Sequence, residues 1–269
     1  MSIRLVAMDM DDTILRDDWT ISERVVKAVQ QAQKQGVHVT FATGRMPAST
    51  RPYVEQLGLD VPLITYNGAM IQEALSGEVL YRSVIPVETA RDIVHWLLPQ
   101  DIHFHTYIKD HVYVGKMNDW SRGYARATRV PVEETNLTEL LEKEQVGVEK
   151  ILLFGEPEGL EDWATKVRLK YEGKVRSTKS KPHFLELIHP SVSKGVALAA
   201  LAERLGVKQE DVMAVGDSLN DIEMIQYAGL GVAMGNARRE VKEIADVVTA
   251  SNQEDGVAQA IEKYVLKSV

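Results

Sequence analysis

The sequence predicts an α/β protein with a parallel sheet, into which an α+β segment is inserted. Three observations carry this expectation. Residues 3–8 and 37–41 are apolar runs separated by a stretch of helical spacing, and strand–helix–strand alternation indicates a parallel sheet. The last third of the chain repeats the pattern. Between about residues 83 and 190 the texture changes to short alternating segments of the kind that pair as antiparallel strands.

The first helix is read from Val25, Val26, Val29 and Ala32. Thr20 with Glu23 three residues later resembles a capping box, and Gly36 supplies the stop. In the middle segment, HFHTYI (103–108), HVYVG (111–115) and VEKILLF (148–154) read as strands, and RSTKS (176–180) followed by HFLELI (183–188) reads as a hairpin. Helical patterns lie at 87–98 and 158–170. A segment this long is no structureless loop inside a compact domain, so residues 84–188 are expected to form an inserted α+β domain. Residues 1–83 and 189–269 then form the core. Within the latter, a helix over 194–205 stops at Gly206, and strands at 212–215, 230–233 and 247–249 are available to the first sheet.

Composition narrows the function. The 269 residues are 45% hydrophobic and 26% charged, as in an ordinary globular protein. No cysteine is present, which excludes disulfides, thiolate metal sites and cysteine nucleophiles. The start shows no secretion signal, because Asp9, Asp11 and Asp12 interrupt its apolar run, and no long apolar stretch suggests a membrane span. A cytoplasmic protein is expected. The net charge of −8, without a Lys/Arg run, argues against nucleic acid or an anionic membrane as partner.

Chemistry is concentrated at strand ends. Asp9-Met10-Asp11-Asp12-Thr13 follows the first strand, at the place where parallel sheets open into a ligand crevice. Alternation in an extended segment lets Asp9 and Asp11 converge. Gly216-Asp217-Ser218-Leu219-Asn220-Asp221 makes a second acidic strand end. Carboxylates without Cys or a clear His cluster favour a hard ion, and few protein ligands with room for phosphate oxygens suit Mg²⁺. Donors for a phosphate are offered by Thr43-Gly44-Arg45 and by Lys194-Gly195 at a helix start. Taken singly, each feature is more often a solvated turn, a helix cap or a surface lysine.

In combination they resemble the haloacid dehalogenase superfamily of phosphohydrolases. Residues 64–69 (ITYNGA), 184–187 (FLEL), 232–237 (VAMGNA) and 252–258 (NQEDGVA) further resemble its Cof-type sugar phosphatases. The resemblance implies a Rossmann-like core with a C2-type cap, and Mg²⁺-dependent hydrolysis of a small phosphorylated metabolite, a sugar phosphate above all. It implies Asp9 as nucleophile and Asp11 as general acid and base. Mg²⁺ would be held by Asp9, the Asp11 carbonyl and Asp217. Thr43, Gly44, Lys194 and Asn220 would hold the phosphate, and Asp221 would support the ion or orient Lys194. Asp12 stands where the family commonly has Gly, a replacement that Asp tolerates in left-handed backbone. His103, His105, Lys109, Arg176 and His183 are weaker candidates for cap contacts. As an H-x-H pair, His103 and His105 are read first as surface residues. Alternatives on the same residues are phosphotransfer or phosphomutase action and, in a different class, a receiver-like phospho-switch.

Overall fold

A computed structural model describes residues 2–266. In chain order its elements are β1 (Leu5–Met8), α1 (Glu23–Lys34), β2 (His38–Phe41), α2 (Pro47–Leu57), β3 (Leu63–Thr65), β4 (Met70–Gln72), β5 (Val79–Arg82) and α3 (Val87–Leu97). There follow β6 (His103–Ile108), β7 (His111–Val114), α4 (Asp119–Thr128), β8 (Val132–Glu134), α5 (Leu137–Glu144), β9 (Lys150–Phe154), α6 (Pro157–Lys170), β10 (Arg176–Thr178) and β11 (Phe184–Ile188). The chain closes with α7 (Lys194–Arg204), β12 (Val212–Gly216), α8 (Ile222–Tyr227), β13 (Leu230–Ala233), α9 (Arg239–Ile244), β14 (Val247–Val248) and α10 (Gly256–Tyr264). Two compact units result: residues up to 45, 50–81 and 193 onward form one, and residues 46–49 with 82–192 the other.

The first unit is built on a parallel sheet in the order β14-β13-β12-β1-β2. Leu5, Val6, Ala7 and Met8 of β1 are all buried, as strands covered on both faces must be. The chain winds outward from β1 to β2 on one side and from β12 to β14 on the other, so β1 and β12 flank the switch point where such sheets bind ligands. Their register pairs Met8 with Val215, which brings the acidic segments after both strands side by side. A smaller sheet, β3-β4-β5, adjoins through a parallel bridge between Ala42 and Ile64.

The second unit carries a six-stranded sheet in the order β10-β11-β9-β6-β7-β8, antiparallel except where β7 meets β8. Phe104, Ile151, Leu153, Leu185 and Leu187 share a core with Ile93 and Leu97 of α3, Leu141 of α5 and Leu160 and Val167 of α6. The expected hairpin and both expected helices are among these elements.

Two expectations need correction. The start of α1 is capped by Ser22, whose hydroxyl accepts from Val25 N, while the Thr20 hydroxyl is turned to Asp18. The two hydroxyls lie two residues apart, and only Ser22 stands at the junction. His103 and His105 are not surface residues either: His105 is fully buried and His103 half-buried. Their strand is central in the sheet, and α4 covers them, with Ser121 bonded to both imidazoles and Tyr124 ringed against His105.

One contact sets how closely α7 approaches α8. A Cβ on Gly195 would stand 2.7 Å from the Glu223 carbonyl carbon and oxygen, so only glycine permits this packing. Gly159, in α6, has nothing within 4 Å of the equivalent point. Gly195→Ala is therefore expected to lower unfolding free energy by about 1–3 kcal/mol, read as an earlier denaturant midpoint. Gly159→Ala should leave the midpoint unchanged or raise it. Equal midpoints for the two variants would contradict the packing.

Candidate active site

The segment after β1 leaves the sheet in an unusual path. Asp9 is extended, Asp11 has φ −66° and ψ 130°, and Asp12 has φ 59° and ψ 6°, in the left-handed region. Asp12 thus occupies the conformation for which glycine is the usual choice. Neighbouring segments lock this turn. Asn236 Nδ2 donates to the Asp12 carbonyl at 2.7 Å, Asn252 Nδ2 to the Leu15 carbonyl at 3.0 Å, and Asn252 N to Asn236 Oδ1 at 3.0 Å. The motifs at 232–237 and 252–258 therefore hold the Asp9–Asp12 loop.

At the centre lies Lys194, fully buried at the start of α7. Its Nζ donates to Asp9 Oδ1 at 2.7 Å and to Asp221 Oδ1 at 2.6 Å. Asp221 Oδ2 accepts from the backbone N–H groups of Asp217 and Ser218, both at 2.9 Å. Both oxygens of Asp221 are thereby engaged in holding Lys194 and the turn after β12. Gly216 makes room for this, since a Cβ there would come within 2.5 Å of Asp221 Cβ and Cγ. Thr13 donates to Asp217 Oδ1 at 2.7 Å. Among the described residues, Asp9 Oδ2 and Asp217 Oδ2 accept no hydrogen bond.

Electrostatics follow from crowding. One ammonium faces the carboxylates of Asp9, Asp217 and Asp221, whose ligand atoms lie within 4.8 Å of one another. Burial pushes the Asp9 carboxyl up to about 7, with Lys194 opposing and the Asp221 and Asp11 charges adding to the rise. Asp217 is raised as well, by burial first and then by Asp221 and Asp9. Burial acts against the Lys194 charge, but the two carboxylates outweigh it and hold the ammonium above its ordinary range. A buried all-oxygen cluster with excess negative charge and two oxygens without hydrogen bonds fits a hard cation.

Asp11 is turned to a different partner. Arg45, itself buried, grips it with Nε to Oδ2 at 2.8 Å and a terminal nitrogen to Oδ1 at 2.9 Å, the forked geometry of a guanidinium on a carboxylate. Thr43 is buried with its hydroxyl accepting from Arg45 N, and Gly44 lies between them. Asn220 Nδ2 donates to Asn67 Oδ1 at 2.9 Å, and the left-handed Asn67 ties back through its backbone to Thr43. Asp9, Lys194, Asp217 and Asp221 thus form one cluster, while Asp11 with Arg45 and Asn220 with Asn67 are separate pairs beside it. Arg45, in a triplet expected to offer donors to a phosphate, is bonded to Asp11 instead, while Thr13 and Asn67 have partners that their motifs alone do not disclose.

The candidates in the inserted unit have local partners. Lys109 pairs with Glu144, His183 Nδ1 meets the Gly155 carbonyl at 3.1 Å, and Arg176 donates to the Val192 carbonyl at 3.4 Å. Among the described residues, no helix is long and apolar enough to cross a membrane.

A family model described as haloacid dehalogenase-like hydrolase matches residues 6–261. The chain belongs to the haloacid dehalogenase-like hydrolase family. Over 268 residues it is 36% identical to the 5-amino-6-(5-phospho-D-ribitylamino)uracil phosphatase YcsE of Bacillus subtilis (strain 168), covering 99% of this chain and 97% of that one. The crystal structure of a haloacid dehalogenase-like hydrolase from Bacteroides thetaiotaomicron superposes with a TM-score of 0.87 at 31% identity, over 97% of this chain and 99% of that one. BT4131, a sugar phosphatase of subclass IIB, superposes with a TM-score of 0.85 at 25% identity, over 96% and 98% of the two chains. This haloacid dehalogenase-like hydrolase is an enzyme of the phosphatase type, in the Cof-type, subclass IIB group.

The raised carboxyls give a test of the cluster. A group that keeps its proton in the folded state and releases it when unfolded loses stability as pH rises from its unfolded value toward its folded one. For Asp9 that window runs from about 3.9 to about 7. In EDTA, the protein is expected to lose stability across this window and then level off, and Asp9→Asn should flatten the slope. Urea midpoints measured from pH 4 to 8 check this. A variant slope as steep as the wild type would contradict the buried, protonated Asp9.

Proposed function

We propose that this phosphatase is a Mg²⁺-dependent hydrolase of small phosphomonoesters, sugar phosphates among them, working in the cytoplasm through an aspartyl-phosphate on Asp9. The observation that carries the proposal is the buried cluster in which Lys194 fixes Asp9 and Asp221 while Asp217 stands beside them. The activities for which two relatives are named, on a phosphorylated ribitylaminouracil and on sugar phosphate, support a small phosphorylated substrate. They do not favour a transferase, a mutase or a receiver-like switch.

Asp9, Asp217 and the Asp11 carbonyl would hold the cation, and the oxygen-only donor set is that of a hard ion. Bound there, Mg²⁺ would offset the negative charge of nucleophile and phosphate. Lys194 anchors Asp9 through Oδ1 and so aims the carboxylate. In the first step an Asp9 oxygen forms a bond to phosphorus, the bond to the ester oxygen breaks, and the Asp11 proton passes to that oxygen. Water then attacks phosphorus, its proton goes to Asp11, and the Asp9–phosphorus bond breaks to release phosphate. Dividing one displacement into two in this way lowers each barrier. Thr43, the Gly44 backbone, Lys194 and Asn220 gather the charge on the transferring oxygens. Arg45 holds both Asp11 oxygens in this structure, so one of them has to be released before Asp11 carries a proton to the ester oxygen.

Asp9→Asn should retain the fold and lose Mg²⁺-dependent phosphate release; activity above a few per cent of wild type would reject Asp9 as nucleophile. Asp11→Asn should slow turnover of sugar phosphates by about 10²–10⁴-fold and of activated aryl phosphates much less. Equal losses on both classes would count against its acid role.

A further inference from the structure

Asn67 takes no part in the reaction above, yet it sits in strained backbone beside the groups that do. Tyr66, Asn67 and Gly68 follow β3 with φ of 51°, 57° and 98°, three consecutive residues in the left-handed region. For a buried tyrosine that region is costly, and such a turn persists only where its surroundings hold it. The surroundings are the segments that carry the phosphate donors. Tyr66 N donates to the Arg45 carbonyl at 2.9 Å and Asn67 N to the Thr43 carbonyl at 2.8 Å. A Cβ on Gly68 would overlap the Ser193 carbonyl oxygen, so the turn lies against the residue before Lys194. The third link is a side chain: Asn67 Oδ1 accepts from Asn220 Nδ2 at 2.9 Å. One three-residue turn thus joins the Thr43–Arg45 segment, the start of α7 and the segment after β12.

Asn220 depends on that last bond. The residue is 7% exposed, and its Oδ1 has no hydrogen-bond partner among the described residues. Asn67 is therefore the one group among them that hydrogen-bonds to the Asn220 carboxamide. A carboxamide has a donor end and an acceptor end of nearly equal shape, and a half-turn about its last bond exchanges them. That choice decides the sign of its interaction with an anion: Nδ2 attracts a phosphate oxygen, while Oδ1 repels it. The bond to Asn67 selects the donor end on its side and uses one of the two hydrogens on Nδ2, leaving the other to a ligand.

We propose that Asn67 is a positioning residue for phosphate binding: its Oδ1 fixes the rotation of the Asn220 carboxamide, so that the second Nδ2 hydrogen is offered to the transferring oxygens. Asn67 acts through Asn220 and touches no phosphate itself. The inference rests on the phosphatase reading, which gives Asn220 its ligand. It accounts for a carboxamide at a left-handed position where glycine would relieve the backbone, since glycine has no oxygen to accept the bond.

The test titrates the full chain with inorganic phosphate in a calorimeter, in the presence of Mg²⁺, for the wild type, Asn67→Gly, Asn220→Ala and the double variant. Asn67→Gly removes the carboxamide without adding backbone strain. It is expected to weaken phosphate binding by about three- to ten-fold while the protein still unfolds cooperatively in urea. Asn220→Ala should weaken binding at least as much, and adding Asn67→Gly to it should change nothing further. A general loosening of the turn would act independently of Asn220. Losses that multiply in the double variant, or an Asn67→Gly that binds phosphate as the wild type does, therefore overturn the inference. Should Asn67→Gly not unfold cooperatively, Asn67→Ala takes its place under the same two criteria. A wild type that neither binds phosphate nor releases it from sugar or aryl phosphates ends the phosphatase reading and the inference with it. A wild type that does both, with the two substitutions acting independently, overturns the inference alone.

Discussion

An ammonium and three carboxylates share a volume that solvent hardly reaches, and the position of Lys194 is what the rest of the site depends on. Charges are costly to bury unless each is paired and hydrogen-bonded. Lys194 meets that condition for Asp9 and Asp221 at 2.7 and 2.6 Å, but one ammonium against three carboxylates leaves two negative charges without compensation. Protons take up part of the excess when no cation is present, which is why burial raises both Asp9 and Asp217. A divalent cation would take up all of it. An enzyme with a net charge of −8 thus comes to have a place for a phosphate ester.

The fold supplies that arrangement through a few close approaches. Parallel pairing of β1 with β12 puts the two acidic strand ends side by side. Gly216 lets Asp221 tuck against the end of β12, and Gly195 lets α7 come near enough to α8 for Lys194 to reach both acids. Asn236 and Asn252, far along the chain, fasten the loop that carries Asp9, Asp11 and Asp12. Residues that touch no substrate in the proposed reaction therefore still determine where the reacting groups stand.

Much of this was legible in the sequence because strand ends are legible. Apolar runs followed at once by Asp9 or Asp217 announce themselves, and parallel alternation places them at one edge of a sheet. What sequence could not give was the choice of partner among nearby groups. Asp9 and Asp11 were expected to converge, yet the left-handed turn at Asp12 accompanies an Asp11 bound to Arg45 and an Asp9 bound to Lys194. The partners of Arg45, Thr13 and Asn67 are not legible in their motifs, since a guanidinium, hydroxyl or amide acquires one only when its distance to a neighbouring group is known. His103 and His105 misled for another reason: alternation identifies a shared face but is silent on whether a helix covers it, and α4 does.

A crystal structure of the protein grown with Mn²⁺ in place of Mg²⁺, with the ion located by its anomalous signal, bears most directly on the account. One ion bonded to the carboxylates of Asp9 and Asp217, with Lys194 still bridging Asp9 and Asp221, is the expected result. An ion bound elsewhere, or an Asp9 carboxylate rotated off Lys194 and away from the ion, would contradict it.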